Sequence, residues 1–180
     1  MIFKSLEIAG AFLLEREKLE DHRGYFARVF CENEFKSQGI NFQPAQANIS
    51  YNTRKHTLRG MHFQISPHEE EKLVYCTSGS IFDVIVDIRE NTTSFGKWCA
   101  VELSRENGKG LYIPKGCAHG FLTLEDNSEV TYLMSPAYKP GFESGFNWAD
   151  ANIGIQWPAT PTVISEKDQM LPSFDEALRH

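Results

Sequence analysis

Short apolar runs separated by turn residues limit the folds that this chain can adopt. Four such runs follow one another in the second half of the sequence: WCAVELS, GLYIP, GFLTLE and EVTYLMS. Their spacing is typical of β-sandwiches and β-barrels. Together with the runs of the first half they give about eight strands or more with little helix between them. The sequence therefore predicts an all-β fold of the barrel or jelly-roll type.

The first half supplies further predicted strands. Residues 11–16 and 25–30 alternate or cluster as strands, with turn chemistry between them, and FQPAQANISYN alternates again. In KLVYCTSGSIFDVIVDIR, Ser78 and Gly79 are predicted to divide the run into a β-hairpin. In the second half of that run, Phe82, Val84, Val86 and Ile88 are predicted to share one face.

Helical patterns are short. Residues 32–38 are predicted to form one or two turns, ended by Gly39 as a C-terminal cap. Near the end of the chain a short helix is predicted from Ser173, where Glu176 completes a capping box. Both helices are expected to lie at the periphery of the barrel.

Length and charge narrow the classes of protein. The chain has 180 residues and no linker-like stretch, so one domain spanning residues 1–180 is expected. A net charge of −6 without a basic run argues against a nucleic-acid partner. No run approaches membrane-spanning length, and the four cysteines lack C-x-x-C spacing. We expect buried free thiols and a soluble cytoplasmic protein with no membrane partner.

The predicted strand TLRGMHFQ carries residues that conflict with burial. Arg59, His62 and Gln64 interrupt its apolar pattern with groups that avoid a buried sheet unless something there requires them. Strict alternation would place Arg59 and His62 on opposite faces. Gly60 between them is a natural position for a β-bulge that re-aims one of the two. Taken alone, His62 is better explained as a hydrogen-bonded core histidine.

His62 is accompanied by polar groups on other predicted strands. His119 follows a Pro-x-Gly turn in IPKGCAHGF, Tyr132 lies in EVTYLMS, and Lys72 begins the predicted hairpin. Gln46 and Asn48 belong to a regular polar face that either meets water or lines a pocket. The acidic run in SPHEEE is predicted to be a solvated surface.

This set favours acid–base chemistry over the other common site types. The sequence has no G-x-S-x-G elbow and no Gly-rich phosphate loop of either common type. A metal site in a β-barrel would need clustered histidines, but Gln64 stands where a His-x-His pair would place its second ligand. Asp168, in the tail, is a candidate partner for an imidazole.

The segments DHRGYF, QANIS, LRGMHFQ, EKLVYCTSGSIFDVIVDIR, LYIPKGCAHGF, TYLMSPAYKPGFESGFNW and ISEKD resemble the successive motifs of the dTDP-4-dehydrorhamnose 3,5-epimerase family. The resemblance extends from about residue 5 to residue 172. It implies a cupin-type double-stranded β-helix, a homodimer, no required metal or cofactor, and a nucleotide-diphosphate-linked 4-keto-6-deoxy sugar as substrate. It also implies a role in dTDP-rhamnose biosynthesis.

The resemblance assigns expected roles to individual residues. His62 matches the base that removes a proton next to the ketone, and Asp168 its orienting carboxylate. Tyr132 matches the acid on the opposite face, and Lys72 a cation near the sugar oxygen. The positions that match substrate-binding residues are Arg23, Phe26, Arg28, Gln46, Asn48, Arg59, His119, Tyr138, Glu143 and Lys167. Of these, Arg23 and Phe26 are expected to reach the cavity of a neighbouring subunit.

The sequence departs from the family at one position. Where the family usually has RG-x-F-x-E, this chain has Arg28, which reverses the charge in or beside the nucleotide pocket. Alternatives within the fold are a single-centre epimerase or one acting on a GDP- or CDP-linked 4-ketosugar. From other classes come a metal-dependent cupin oxygenase, with His62 and His119 as ligands, and a non-catalytic sugar-binding barrel.

Overall fold

The computed structural model of the chain describes residues 1–179, and β-strands form most of its regular structure. In chain order the strands are β1 (Ile2–Ser5), β2 (Phe12–Glu15), β3 (Lys18–Asp21), β4 (Gly24–Ala27), β5 (Gln46–Asn52), β6 (Thr57–Gln64), β7 (Glu71–Ser78), β8 (Ser80–Asp87), β9 (Trp98–Ser104), β10 (Gly110–Ile113), β11 (Cys117–Thr123), β12 (Ser128–Ser135), β13 (Glu143–Gly145) and β14 (Val163–Ile164). The helices are α1 (Glu32–Ser37), α2 (Glu166–Gln169) and α3 (Phe174–Ala177).

Two sheets face each other. The first sheet has the strand order β1-β2-β10-β7-β12-β5, and the second has the order β13-β6-β11-β8-β9, with β14 beside β6. Strands β3 and β4 form a separate antiparallel hairpin. From β5 to β8 the chain alternates between the two sheets, which is the topology of a jelly-roll barrel. The predicted all-β jelly roll with short peripheral helices is confirmed.

The hairpin predicted around Ser78 and Gly79 is wrong. Strand β7 pairs with β10 and β12 in the first sheet, whereas β8 pairs with β11 and β9 in the second. Gly79 alone separates the two strands, and the tight hairpins of antiparallel sheets need at least two connecting residues. This glycine therefore forms a corner at which the chain passes from one sheet to the other.

Apolar side chains fill the space between the sheets and cover their outer faces. The inner cluster joins Val74, Leu111 and Val130 of the first sheet to Ile81, Ile85, Leu103 and Phe121 of the second. Helix α1 covers the outer face of the first sheet through Phe35. The tail covers the outer face of the second, where Phe146, Ile153 and Phe174 pack on Val84 and Val86 as the predicted face of β8 requires. Burying each large side chain contributes about 1.5–3 kcal/mol, so this packing holds the tail in place.

Both predicted helices are present. Helix α1 ends where Gly39, at φ +77°, donates its N–H to the carbonyl of Lys36, as expected of a C-terminal cap. Helix α3 has the predicted capping box between Ser173 and Glu176. Helix α2 was not predicted, because its four residues are too few to show helical periodicity.

Cys31, Cys76, Cys99 and Cys117 are free thiols, as predicted. Cys76 and Cys117 are buried, whereas Cys31 and Cys99 are only partly so. Burial raises the pKa of Cys117 to about 12, so this thiol remains protonated at neutral pH. Within residues 1–179, none of the helices has the length and apolar character needed to cross a membrane.

The predicted β-bulge at Gly60 is confirmed by the pairing of β6 with β11. His62 lies opposite His119 and Arg59 lies opposite Phe121, with a register shift between these pairs. Between these pairs, Gly60 and Met61 of β6 lie opposite the single residue Gly120 of β11. Two residues opposite one define a β-bulge. Because His119 and Phe121 are two residues apart, they point to the same side of the sheet. The bulge turns Arg59 and His62 to that same side.

The bulge depends on close contact between two glycines. Gly60 has φ +130°, and a Cβ atom added to it would lie 2.5 Å from the Cα of Gly120. A Cβ added to Gly120 would in turn lie 2.6 Å from the sulfur of Met61. Neither position has room for a side chain, so the two backbones meet directly.

We expect Gly60→Ala to lower the free energy of unfolding by at least about 2 kcal/mol, because it combines backbone strain with a clash against backbone. Gly96→Ala is the control, since Gly96 also has a positive φ, +71°, but no atom within 4 Å of the place that a Cβ would take. The control should lose only the strain, about 1 kcal/mol. Urea unfolding of both variants measures the difference. Equal losses would contradict the importance of the contact with Gly120.

Candidate active site

A cavity of about 470 Å³ lies between the two sheets beside β6, within the size range of small-molecule sites. A neighbouring cavity of about 330 Å³ shares Arg59, His62, Lys72 and Tyr132 with it, so the two are parts of one recess. The predicted site residues that line the larger cavity are Gln46, Asn48, Arg59, His62, Lys72, Tyr132, Tyr138, Glu143, Lys167 and Asp168. His119 lines the smaller cavity.

His62 and Asp168 form a hydrogen-bonded pair. The Nε2 atom of His62 lies 2.8 Å from Oδ1 of Asp168, and the backbone N–H of Gly60 donates to Oδ2 at 3.2 Å. The side chain of His62 is 41% exposed toward the cavity, whereas that of Asp168 is 6% exposed. Ser165, the N-cap of α2, accepts a hydrogen bond from the backbone N–H of Asp168. Helix α2 thus holds the carboxylate that is hydrogen-bonded to His62.

Burial raises the pKa of the Asp168 carboxyl, but the hydrogen bond and charge of His62 and the N–H of Gly60 outweigh it. As a result, the pKa of Asp168 is lower than the ordinary value of an aspartate side chain. Asp168 is therefore a carboxylate at neutral pH and accepts a hydrogen bond from the Nε2–H of His62. This bond leaves Nδ1 as the basic nitrogen of a neutral imidazole.

Lys72 has a buried carboxylate partner that the sequence did not reveal. Its ammonium lies 2.5 Å from Oε1 of Glu70, with the two side chains 10% and 7% exposed. Gln64 donates to Oε2 of Glu70 at 3.1 Å. The prediction that the acidic run is a solvated surface is therefore wrong for Glu70. Its burial is tolerable because Lys72, two residues further along the chain, and Gln64 both bond the carboxylate.

His119 also has a carboxylate partner. Its Nε2 atom lies 2.7 Å from Oδ1 of Asp83, and both side chains are buried. Asp83 lies on β8, whose neighbour in the sheet is β11, so the pair is cross-strand. The sequence contained one signal for it, a carboxylate in the middle of a largely apolar strand.

Tyr132 approaches the recess from the first sheet, whereas His62 approaches from the second. Burial raises the pKa of Tyr132, the carboxylate of Glu70 raises it further, and Arg59 lowers it. The phenol is therefore protonated at neutral pH and is available as a proton donor.

Other predicted residues line the cavity nearer solvent. Tyr138 is 45% exposed, and its backbone N–H donates to the side chain of Gln46. Gln46 in turn donates to the side-chain oxygen of Asn48 at 2.9 Å. Glu143 and Lys167 are exposed beside them. One exposed aromatic ring, two amides, a carboxylate and a lysine thus surround this part of the cavity.

Arg23, Phe26 and Arg28 do not line this cavity in their own chain. Arg23 pairs with Asp21 at 2.6 Å at the turn of the β3–β4 hairpin, and Phe26 is 69% exposed on β4. Arg28 follows the hairpin and pairs with Glu34 of α1 at 2.6 Å. The expectation that Arg23 and Phe26 serve a neighbouring subunit stays a prediction, and so does the place of Arg28 in a nucleotide pocket.

The donor set offers little to a metal ion. Among residues 1–179, the histidine, cysteine and acidic side chains form no group of three or more that is arranged to hold one. His62 and His119 each have a carboxylate on Nε2. These bonds engage one nitrogen of each ring and leave Nδ1 free, but no third donor of these types among the described residues is arranged with them to complete a site.

Comparison with known proteins identifies the family. The family profile described as dTDP-4-dehydrorhamnose 3,5-epimerase matches residues 5–176. The chain belongs to this family of isomerases. It is 43% identical to the dTDP-4-dehydrorhamnose 3,5-epimerase of Sinorhizobium fredii over 98% of this chain and 91% of the relative. The predicted family is thereby confirmed.

Solved structures agree with this assignment. The dTDP-4-dehydrorhamnose 3,5-epimerase of Elizabethkingia anophelis superposes with a TM-score of 0.95 at 35% identity, covering 98% of this chain and 97% of that one. An epimerase from Legionella pneumophila, solved in complex with dTDP-4-keto-L-rhamnose, gives a TM-score of 0.91 at 34% identity, with 97% and 93% covered. A 3'-monoepimerase from Streptomyces bikiniensis, in complex with dTDP-quinovose, gives 0.89 at 32%, with 97% and 88% covered.

The depressed pKa of Asp168 predicts a pH-dependent contribution to stability. A carboxyl whose pKa is lowered by folding stabilises the protein above its unfolded value of 3.8, and this stability is lost as the pH falls through the folded value. We expect Asp168→Asn to cost about 1–3 kcal/mol at pH 7. The difference from the unmodified protein should shrink as the pH falls below about 4.

Urea unfolding at neutral and acidic pH measures this difference. Glu166→Gln is the matched control, because Glu166 lies in the same helix with an exposed side chain. It should change stability little at either pH. A loss in Asp168→Asn that is the same at every pH would show that the ionised carboxylate of Asp168 is not its source.

Proposed function

We propose that this chain epimerises carbon 3 and carbon 5 of a dTDP-linked 4-keto-6-deoxy sugar, in the formation of a deoxysugar precursor such as dTDP-rhamnose. The observation that carries the proposal is the placement of acid–base groups on opposing walls of one recess. His62, held by Asp168, lies on the second sheet, and Tyr132 and Lys72 lie on the first. The chain's membership of the epimerase family supplies the reaction class.

His62 is the proposed base. A proton on the carbon next to a ketone is weakly acidic, so its removal needs a positioned base and stabilisation of the enolate that forms. Nδ1 of His62 accepts the proton because Nε2 is engaged with Asp168. The carboxylate of Asp168 also stabilises the imidazolium, as in other His–Asp pairs.

Lys72 and Tyr132 complete the reaction. The ammonium of Lys72 lies on the wall opposite His62 and stabilises the negative charge that develops on the sugar oxygen. Tyr132 returns a proton to the carbon from the face opposite the base, which inverts the centre. Burial raises its pKa and keeps it protonated until then.

The remaining cavity residues suit the nucleotide end of the substrate. Tyr138 offers an exposed ring for stacking on a base. Arg59 and Lys167 supply positive charge for the diphosphate. The other residues proposed to contact sugar or nucleotide are Gln46, Asn48, His119 and Glu143. The complexes of the Legionella and Streptomyces proteins with dTDP-linked sugars support this substrate class.

We propose that the chain acts as a homodimer of single domains spanning residues 1–180. The β3–β4 hairpin exposes Leu19, Tyr25 and Phe26 at 70%, 50% and 69%, although apolar side chains of this size are normally covered. Such a hairpin suits insertion into a second copy, where Arg23 and Phe26 would contact substrate.

The free thiols favour a cytoplasmic location.

A single-centre epimerase is the second candidate, because the fold similarity extends to the 3'-monoepimerase of Streptomyces bikiniensis. The same placement of base and acid on the two sheets suits inversion of one carbon or of both. Which centres are inverted depends on how the sugar turns in the recess between the two proton transfers.

Incubation with the dTDP-linked 4-keto-6-deoxy sugar in deuterated water, followed by NMR, tests the proposal. The unmodified protein should introduce deuterium at carbon 3 and carbon 5 and invert both, whereas label at one carbon alone would indicate the single-centre reaction.

His62→Ala should reduce exchange by at least about 100-fold, because loss of a general base costs this much. Tyr132→Phe should retain exchange while losing most inversion.

Absence of exchange by the unmodified protein would refute the proposed reaction. Exchange by His62→Ala at the unmodified rate would remove His62 from the role of base. Full epimerisation by Tyr132→Phe would remove Tyr132 from the role of acid. Circular dichroism of each variant confirms that the fold is intact.

Arg28→Glu tests whether Arg28 affects nucleotide preference. The substitution breaks the ion pair with Glu34 and restores the carboxylate that is usual in the family. We expect the ratio of kcat/KM for thymidine-linked over other nucleotide-linked sugars to change by about tenfold, which is within reach of one charged hydrogen bond. Arg28→Gln is the control, because it breaks the same pair without adding a charge. Ratios unchanged in both variants would place Arg28 outside the nucleotide pocket.

A further inference from the structure

Glu70 and Lys72 form a buried ion pair in the wall of the recess. The ammonium and Oε1 are 2.5 Å apart, and each side chain is at most 10% exposed. Lys72 is the second residue of β7 in the first sheet and lies opposite Met134 of β12, whereas Glu70 lies just before the strand. The carboxylate therefore reaches the lysine from the end of the sheet.

Glu70 is itself held on its other oxygen. Gln64, at the end of β6, donates to Oε2 through its amide nitrogen, and its amide oxygen accepts the backbone N–H of Lys139 at 2.8 Å. A continuous chain of hydrogen bonds thus runs from the loop after β12 through Gln64 and Glu70 to Lys72. The same loop carries Tyr138.

This arrangement restricts a flexible side chain. A lysine ammonium sits on a four-carbon stem whose rotamers span several ångströms, and it has no fixed direction of hydrogen bonding. A carboxylate fixed by a second hydrogen bond selects one position for it. Removing the partner of a buried charge is costly, so the pair is stable only with both members present.

We propose that Glu70 is a positioning residue for Lys72: it holds the ammonium at the place in the wall where the enolate oxygen forms. The proposal rests on the proposed function, since it assigns Lys72 the stabilisation of that oxygen. Glu70 also lines the larger cavity, and in our proposal it acts through Lys72 rather than by contact with the substrate. Its negative charge also contributes to the raised pKa of Tyr132, which favours the protonated acid.

The carboxylate has an opposing effect as well. It lies near the negative charge of the enolate and reduces the net positive charge of the wall. If this repulsion dominated, removing the charge of Glu70 would raise the rate. In our proposal, the effect of Glu70 on the position of the ammonium outweighs this repulsion, because misplacing a catalytic group by about 1 Å costs up to about 100-fold in rate.

Glu70→Gln tests the proposal, with Glu69→Gln as the matched control. Gln keeps the shape of the side chain and its capacity to bond Gln64, but it removes the charge that holds Lys72. Glu69 is the neighbouring residue, and it does not line the recess. We expect kcat for epimerisation to fall by about 10- to 100-fold in Glu70→Gln while KM changes less than about threefold. Binding of dTDP alone, measured by calorimetry, should be unchanged, and Glu69→Gln should behave like the unmodified protein.

A second measurement does not depend on turnover. Labelling with an amine-reactive reagent, read by mass spectrometry, should modify Lys72 several-fold faster in Glu70→Gln, because the released side chain moves into the cavity. Exposed Lys55 serves as the internal reference. An inactive unmodified protein would refute the proposed function, and the labelling result would still decide the role of Glu70.

Three outcomes would overturn the role of Glu70. These are a kcat that is unchanged or higher in Glu70→Gln, a rise in KM alone, and unchanged labelling of Lys72. If Glu70→Gln does not fold, Glu70→Asp replaces it. Asp keeps the charge but withdraws it by one methylene, so kcat should still fall, and a kcat equal to that of the unmodified protein would overturn the proposal.

Discussion

The contact between Gly60 of β6 and Gly120 of β11 is the constraint on which the site depends. On a regular strand, Arg59 and His62 would point to opposite faces. One of them would then meet the apolar cluster under the tail, where Met61 and Phe63 pack. A guanidinium or imidazole there would be buried without a partner. Two facing glycines allow the extra residue, and the bulge directs both polar side chains into the recess while Met61 and Phe63 keep their places in the core.

Once these groups point inward, the fold supplies each buried charge or imidazole with a carboxylate from a different element. Asp168 comes from α2, Asp83 from β8, and Glu70 from the segment before β7. Each partner compensates desolvation before any substrate is present, so the groups are oriented in advance of the reaction. The tail contributes to this arrangement through packing as well as charge, because Phe174 and Phe146 fix the segment that delivers Asp168.

Local patterns in the sequence predicted those features that local physics determines. The cap at Gly39, the capping box at Ser173 and the apolar face of β8 depend on neighbours within a few residues. The separation of β7 from β8 depends on strand pairing that no local pattern encodes, and the burial of Glu70 depends on Gln64 of β6 as well as on Lys72. The pair between His62 and Asp168 spans 106 residues, and only the resemblance to a known family connected the two before the structure did. The sequence placed Asp83 with Asp87 on the other face of its strand but did not pair it with His119, because that partner lies on another strand.

A jelly roll suits a reaction that inverts carbon centres because its cavity has two walls from separate sheets. Inversion requires a base and an acid on opposite sides of one carbon, and groups on a single strand face could not surround the substrate in this way. Here the base lies on the second sheet and the acid and the cation on the first. The two side chains of the His62–Asp168 pair differ in exposure: the imidazole is 41% exposed, whereas the carboxylate is 6% exposed. A sugar that enters the recess would cover the imidazole, remove its remaining water and strengthen its interaction with a carboxylate that is already in place.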